Sequence, residues 1–213
     1  MRKSGNILGK PNIITLIVSL KLFFLVSLML SVSATAQEES LEEFQRNMNA
    51  KFSDPELTPL SKDDLAKFKK LDFFEIDSAF LVKAHFLRTP AEAPFKMETT
   101  TNRKPVYVKY GELYFSIKRK DFKLDVFQNQ ELISDPEYYN YLFLPFTDLT
   151  NGETTYSGGR YLDLRIPEGD SIFLNFNKAY NPYCAYNGDF SCPIVPAENN
   201  LEIAVTAGVK NFN

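Results

Sequence analysis

The sequence predicts a mainly β fold of the α+β class: an antiparallel β-sandwich or barrel of about nine strands, with two short N-terminal helices. Three observations predict it. The chain carries 19 Phe and 11 Tyr but no Trp, a composition weighted towards strand formers. From residue 71 onward, apolar residues recur at every second position. No strand-helix-strand alternation occurs, which disfavours a parallel sheet.

Residues 1–36 stand outside that fold. Arg2, Lys3 and Lys10 precede the apolar run "LFFLVSLML" (22–30), and Ala34 and Ala36 form an A-x-A pattern before Gln37. This order reads as a secretory signal peptide. It leaves one β-rich domain over 37–213, exported to the periplasm or secreted. Residues 13–32 also admit an uncleaved membrane anchor, but Lys21 falls in the middle of that stretch, a costly place for a charge. Beyond the leader no segment is long and apolar enough to span a bilayer. The leader holds four of the 24 Lys and Arg and none of the 27 Asp and Glu, so the remainder is acidic by seven charges. Such a surface repels phosphate backbones and argues against nucleic acid as a partner.

The domain opens helically. Ser40 and Glu43 make a capping box, with Leu41, Phe44 and Met48 at helical spacing behind it. Two prolines in "SDPELTPL" end that helix, and Ser61 caps a second over Lys62–Lys70. The first strand, "FLVKAHFLR" (80–88), sets Phe80, Val82, Ala84 and Phe86 against Leu81, Lys83, His85 and Leu87. "KPVYVKYGELYFSIKR" reads as two strands turning at Gly111-Glu112. "KRKDFK" (118–123) reads as a solvated turn, and "FKLDVF" (122–127) continues the meander. "YYNYLFLPF" (138–146) is apolar on both faces and reads as a central strand. "RYLDLRI" and "SIFLNF" are expected to pair as a hairpin across Pro167–Asp170, and "LEIAVTAG" (201–208) to close the sheet.

Two connections, 147–159 and 177–200, are long for a compact domain, and such loops are usually functional. The first carries Asp148 and ends in Gly158, Gly159 and Arg160, with Tyr161 and Asp163 just beyond. Asp148 and Asp163 admit two readings. They can be an acid/base pair of the kind glycoside hydrolysis uses, or one of them can pair with Arg160 and pin the loop. Such pairing lowers a carboxyl pKa, which disfavours a general acid. The second loop carries Asn177, Tyr180, Asn181, Tyr186 and, near its end, Glu198. Amides and phenols suit a polar neutral ligand such as a sugar, and equally suit Asx turns. Cys184 and Cys192, with seven residues between them in an exported chain, read as a disulfide contributing about 2–3 kcal/mol by loop closure. His85 is the only histidine, so no multi-histidine metal site is expected, and no cofactor motif occurs.

Five blocks carry a resemblance: "DFFEIDSAFLVKAHFLRTP", "METTTNRKPVYVKYGELYFSI", "YLFLPFTDLTNGETTYSGGRYLDL", "FNKAYNPYCAYNGDFSCP" and "ENNLEIAVTAG". Together they resemble a bacterial family known only as domain-of-unknown-function family 1684. The resemblance marks Pro145, Phe146, Asp148, Thr150, Asn151 and Gly152, then Tyr156 and Gly158 to Tyr161, then Asp163. In the second loop it marks Asn177, Ala179 to Pro182, Cys184, Tyr186, Cys192, Pro193, Glu198 and Asn199. The chain departs at Asn175, where the family commonly has Asp, and at Val195, where it has Pro. The resemblance implies no activity, substrate or cofactor. It does tie the two loops together, and the expected hairpin brings both to one edge of the sheet.

Three functional readings follow. The first is a non-catalytic domain binding a small polar ligand or a protein partner at the two-loop end, through Asp148, Arg160, Tyr161, Asp163, Asn177, Tyr180, Asn181, Tyr186 and Glu198. The second is a hydrolase-type enzyme using Asp148, Asp163 or Glu198 with Arg160. The third gives the loops a purely structural role and places the functional surface elsewhere, for example on Val106–Lys118.

Overall fold

The structure, a computed structural model, describes residues 39–212. The leader expected over 1–36 lies outside the described residues. Helix α1 spans Leu41–Ser53, and its N-cap Ser40 accepts a hydrogen bond from the Glu43 amide at 3.1 Å. Helix α2 covers only Lys62–Leu65, capped by Ser61, rather than reaching Lys70. Phe68 is drawn into the same cluster as Leu65, which α1 and the start of the sheet domain share: Phe52, Leu60, Leu71 and Tyr186. Among the described residues, no helix is long and apolar enough to cross a membrane.

Eight strands follow, all in one curled sheet: β1 (Leu81–Arg88), β2 (Phe95–Lys96), β3 (Val106–Ile117), β4 (Lys120–Asn129), β5 (Tyr141–Asp148), β6 (Arg160–Arg165), β7 (Ser171–Asn175) and β8 (Asn200–Leu201). The order is β6-β5-β4-β3-β1-β7, with β2 on β3 and β8 on β5. All pairings are antiparallel except that of β8 with β5. The principal core lines the inner face, with Val82, Ala84 and Phe86 of β1, Leu142, Leu144 and Phe146 of β5, and Leu162 and Leu164 of β6. His85 points the other way and is exposed, as the alternation of β1 requires.

The segment around Gly111 does not turn. Residues 106–117 form one strand, and the hairpin lies instead at Lys118 and Arg119, whose φ values of 49° and 65° are those of a tight type I′ turn. Gly111 marks a β-bulge: the register with β4 passes from Lys109↔Phe127 to Gly111↔Val126, leaving Tyr110 unpaired. A Cβ at Gly111 would lie 2.6 Å from the Phe86 ring and 2.8 Å from the Leu87 carbonyl oxygen, so only glycine fits. The extra residue reverses the faces of β3. Leu113, Phe115 and Ile117 join the inner core, whereas Tyr107 joins a second cluster on the outer face with Met97, Phe127, Phe143 and Tyr161.

The outer face of β3 and β4 carries a charge network. Glu112 accepts hydrogen bonds from Tyr114 Oη at 2.6 Å, Lys109 Nζ at 3.0 Å and Lys123 Nζ at 3.3 Å. The phenol first, and then the two ammonium groups, hold the Glu112 carboxyl down at about 2. A carboxylate depressed in the folded state stabilises the fold fully above its unfolded value of about 4.3 and loses that contribution as pH falls towards 2. In urea unfolding measured between pH 5 and 2, wild type is therefore expected to lose more stability than Glu112→Gln. Equal acid slopes for the two proteins would show that the network does not contribute.

Two further pairings differ from expectation. β6 and β7 are not a hairpin: β6 pairs with β5, β7 pairs with β1, and they occupy opposite ends of the strand order. The curl nevertheless brings the ends together, because Tyr161 and the residue Tyr180 beyond β7 exchange backbone hydrogen bonds at 2.9 and 3.0 Å. Residues 201–208 do not form a full strand either. Only Asn200–Leu201 pairs with β5; beyond it the Ile203 and Gly208 carbonyls and the Val209 amide bond other backbone groups, whereas the carbonyls of Val205 and Ala207 are met by the Arg160 side chain.

Candidate functional site

The first long loop is an internal brace. Asp148, at the end of β5, and Arg160, opening β6, form an ion pair at 2.8 Å with both side chains fully buried. Arg160 Nη2 also donates to the Val205 carbonyl at 2.8 Å, and Nη1 donates to the carbonyls of Ala207 and Val209. One guanidinium thus serves alternate carbonyls of an extended segment, the role a neighbouring strand would otherwise play. Asp148 Oδ1 completes the set by accepting from the Val205 amide, the Thr150 amide and the Thr150 hydroxyl. Burial lowers the Arg160 pKa and the Asp148 charge opposes that fall. Gly159 adopts φ +90°, and a Cβ there would lie 2.6 Å from the Phe146 carbonyl oxygen.

The open site lies across the sheet from this brace. A cleft of about 810 Å³ runs over the outer face of β3 to β6, in the size range of small-ligand sites. Its floor is Tyr107, Tyr141, Phe143, Tyr161 and Asp163; its roof is Tyr180, Tyr183 and Phe190 to Pro193 from the second loop, with Phe44, Met48 and Lys51 of α1. The aromatic rings meet edge to face: Phe143 and Tyr161 at 4.7 Å, Tyr161 and Tyr180 at 5.9 Å, Tyr183 and Phe190 at 5.2 Å.

Asp163 is the exposed carboxylate of this floor. Tyr141 and Tyr180 donate to its Oδ1 at 2.7 and 2.5 Å, leaving Oδ2 without a partner among the described residues. Burial first, and the adjoining carboxylate second, push both phenol pKa values well up. The phenols therefore stay protonated and act as fixed donors. Arg103 lies on the same cleft, held by Ser191 through Nε at 3.3 Å and Nη2 at 3.2 Å. Lys51 of α1 lies on the same cleft.

Of the nine residues that the sequence offers as ligand contacts, Tyr161, Asp163 and Tyr180 come together in the cleft. The others do not line it. Asp148 and Arg160 are locked in the brace. Asn177 is buried and bonds the backbone of Asp77. Asn181 is buried, donating to the Lys210 carbonyl and to the hydroxyl of Tyr186, which packs beneath α1. Glu198 is exposed on a single 3-10 turn, Ala197–Asn199. Asp148, Asp163 and Glu198 thus do not face one cleft. Asn175 accepts from the Asn177 amide at 3.2 Å, an N-cap role that an aspartate serves equally.

Cys184 and Cys192 are free thiols in this structure rather than a disulfide. They adjoin: the Cys184 amide donates to Cys192 Sγ at 3.1 Å. No group of three or more metal-ligating side chains occurs among the described residues. The cleft residues that the sequence did not flag, Arg103, Tyr107, Tyr141 and Phe143, belong to ordinary strand and loop segments. A strand apolar on both faces must be covered on both, and that was the available signal for Tyr141 and Phe143.

The family model for proteins of unknown function DUF1684 matches residues 66–210. The chain belongs to the DUF1684 family. The matched span takes in the brace and the sheet and second-loop residues of the cleft, but leaves out the N-terminal helices and with them the α1 side of the cleft. The DUF1684 domain is also similar to a solved structure, the solution NMR structure of the uncharacterized protein from gene locus rrnAC0354 of Haloarcula marismortui, at 32% identity and TM-score 0.63. That similarity covers 80% of this chain and 91% of the other. No curated protein is similar to the chain.

Proposed function

We propose that this DUF1684 protein is a binding domain whose cleft takes a small, hydroxyl-bearing ring ligand of the sugar class, with acidic sugars preferred. The observation that carries the reading is Asp163: an exposed carboxylate inside an aromatic cleft, with Oδ1 committed to two phenols and Oδ2 unpartnered among the described residues. A carboxylate fixed in this way accepts ligand hydroxyls, and tyrosine faces stack against the C–H face of a sugar ring. Arg103 and Lys51 favour a ligand that also carries negative charge. The second long loop supplies part of the roof of this cleft. Its other wall is α1 and the 95–105 segment, not residues 147–159. Export through the leader is part of the same proposal, checked by N-terminal sequencing of the mature protein.

The test is a thermal-shift screen with neutral sugars, uronic acids, nucleotides and cell-wall fragments, because ligands that bind the native state raise its melting temperature. Uronic acids are expected to give the largest shift. In Asp163→Asn, which keeps an acceptor for the phenols, Kd is expected to weaken about 10- to 100-fold, the value of a hydrogen bond to a charged group. A screen in which no sugar stabilises the protein, or an Asp163→Asn variant with unchanged affinity, overturns the reading.

A further inference from the structure

We propose that Cys184 and Cys192 are a reversible thiol pair that closes to a disulfide by exchange with a low-molecular-weight disulfide, and that closure reshapes the Tyr183 wall of the cleft. The thiol chemistry is independent of what the cleft binds; only the consequence for ligands rests on the cleft reading. Cys184 directly follows Tyr183, Cys192 directly follows the cleft residues Phe190 and Ser191, and the anchorage of the two cysteines differs. Cys192 is fixed on both sides: its amide donates to Thr100 Oγ1 at 3.1 Å and its carbonyl accepts from the Thr100 amide at 2.9 Å. The bridge of Thr99 with Pro193 extends that anchorage. Cys184 sits in a short 3-10 turn, Tyr183–Ala185, bonded mainly within itself. Between them, Gly188 and Asp189 form an exposed tip, and a Cβ at Gly188 would meet nothing within 4 Å. The tip leaves room for the 183–185 turn to shift.

The pair is also asymmetric in access. Cys192 is only 6% exposed, whereas Cys184 is half-buried and reachable. The Tyr156 hydroxyl, from the first long loop, lies 3.8 Å from Cys184 Sγ. Gly158 permits it, since a Cβ there would lie 2.5 Å from the Tyr156 ring. Contact with Cys192 first, and then with Tyr156 and Thr100, draws the Cys184 pKa down to about 6, while Cys192 is pushed up by Cys184 and by burial. One thiolate and one thiol is the arrangement that exchange chemistry uses.

The step balances without a further reagent. The Cys184 thiolate attacks one sulfur of the small disulfide, forming a mixed disulfide and expelling one small thiolate, which takes a proton from solvent. Cys192 then loses its proton to solvent and attacks Cys184 Sγ. The internal S–S bond forms as the mixed S–S bond breaks, and the second small thiolate leaves and is protonated. Two protein thiols are oxidised and one small disulfide is reduced to two thiols. Tyr183 packs edge to face against Phe190 and lies under Lys51 at 5.3 Å, so movement of its turn alters the cleft roof.

The experiment treats native protein with oxidised glutathione, quenches with acid, and reads intact mass, with Cys184→Ser and Cys192→Ser as controls. The expected result is a loss of two hydrogens with no retained adduct in wild type, and full reversal by reduced glutathione. Cys192→Ser should stop at the glutathione adduct on Cys184. Cys184→Ser should react at least ~10-fold more slowly, because its remaining thiol is buried and protonated. Nuclear magnetic resonance of the aromatic rings should then show the Tyr183 and Phe190 signals shifting on oxidation. A native protein that stays fully reduced, forms only intermolecular disulfides, or closes only in denaturant overturns the thiol proposal. Closure that leaves the Tyr183 and Phe190 signals unmoved overturns the link to the cleft. Failure of the sugar screen leaves the mass result intact.

Discussion

Arg160→Met is expected to lower the unfolding free energy by about 3–5 kcal/mol, the usual consequence of removing one partner from a buried ion pair. Methionine matches the stem of the arginine but supplies no donors. Asp148 would remain as a buried anion, and the carbonyls of Val205, Ala207 and Val209 would lose the guanidinium that satisfies them. Thr150 and the Val205 amide still bond Asp148 Oδ1, which softens the loss without neutralising the charge. Lysine at 160 is expected to recover little, since a single ammonium cannot reach Asp148 and several carbonyls in the guanidinium's planar geometry. Chemical denaturation at neutral pH measures it. Loss of less than ~1 kcal/mol, the range of an exposed ion pair, would show that the brace is not what holds the C-terminal segment.

Asn199→Ala is expected to cost about 2–4 kcal/mol, from one buried side chain that repairs a gap in the sheet. The pairing of Phe127 with Phe143 sets Asp125 opposite Pro145 along β4 and β5. Proline has no amide hydrogen, so the ladder cannot continue through that position. Asn199 inserts its amide instead. Its Oδ1 accepts from the Asp125 amide at 2.8 Å, and its Nδ2 donates to the carbonyls of Asp125 at 2.8 Å and Pro145 at 2.7 Å. Alanine removes all three bonds and leaves three buried backbone groups unsatisfied. Asn199→Asp separates the two halves of the role, because it keeps the acceptor and loses both donors. Amide hydrogen exchange at Asp125 should quicken markedly in Asn199→Ala and much less in Asn199→Asp. Equal exchange in all three proteins would refute the repair.

The two predictions concern residues that the sequence reading treated differently. Arg160 was visible as an anchor for the Gly-rich loop because an arginine between two aspartates has few other uses in an acidic chain. What it anchors was not visible, since Val205 to Val209 lie some 45 residues away in sequence. Asn199 was marked only by resemblance, and its purpose depends on a proline more than 50 residues earlier. The separation of Asp148 from Asp163 was more nearly legible. Residues 160 and 163 of one strand must face opposite sides, so an Asp148 paired with Arg160 cannot share a cleft with Asp163.

Local chemistry in the sequence was sufficient for whatever depends on neighbours along the chain. That includes the Ser40 cap, the inward Val82, Ala84 and Phe86, the exposed His85, the mainly antiparallel β class and the two exceptional loops. Tertiary structure decided everything that depends on which strand lies beside which. A period of two says how a strand faces but not whom it meets, and turn chemistry suggested a β6–β7 hairpin that the curled sheet replaces with β5–β6 and β1–β7. Gly111 has the same double character, a turn signal locally and a bulge once Phe86 and Leu87 pack against it. The two loops do meet, at Tyr156 against Cys184, and the curl closes beside them through Tyr161 of β6 and Tyr180 rather than through a shared hairpin. Tertiary closure buries Asp148, Thr150 and Thr155 of one loop in the brace and leaves the other over the outer face as the roof of the cleft, because Asp148 found a buried guanidinium while Asp163 found two phenols on the outer face.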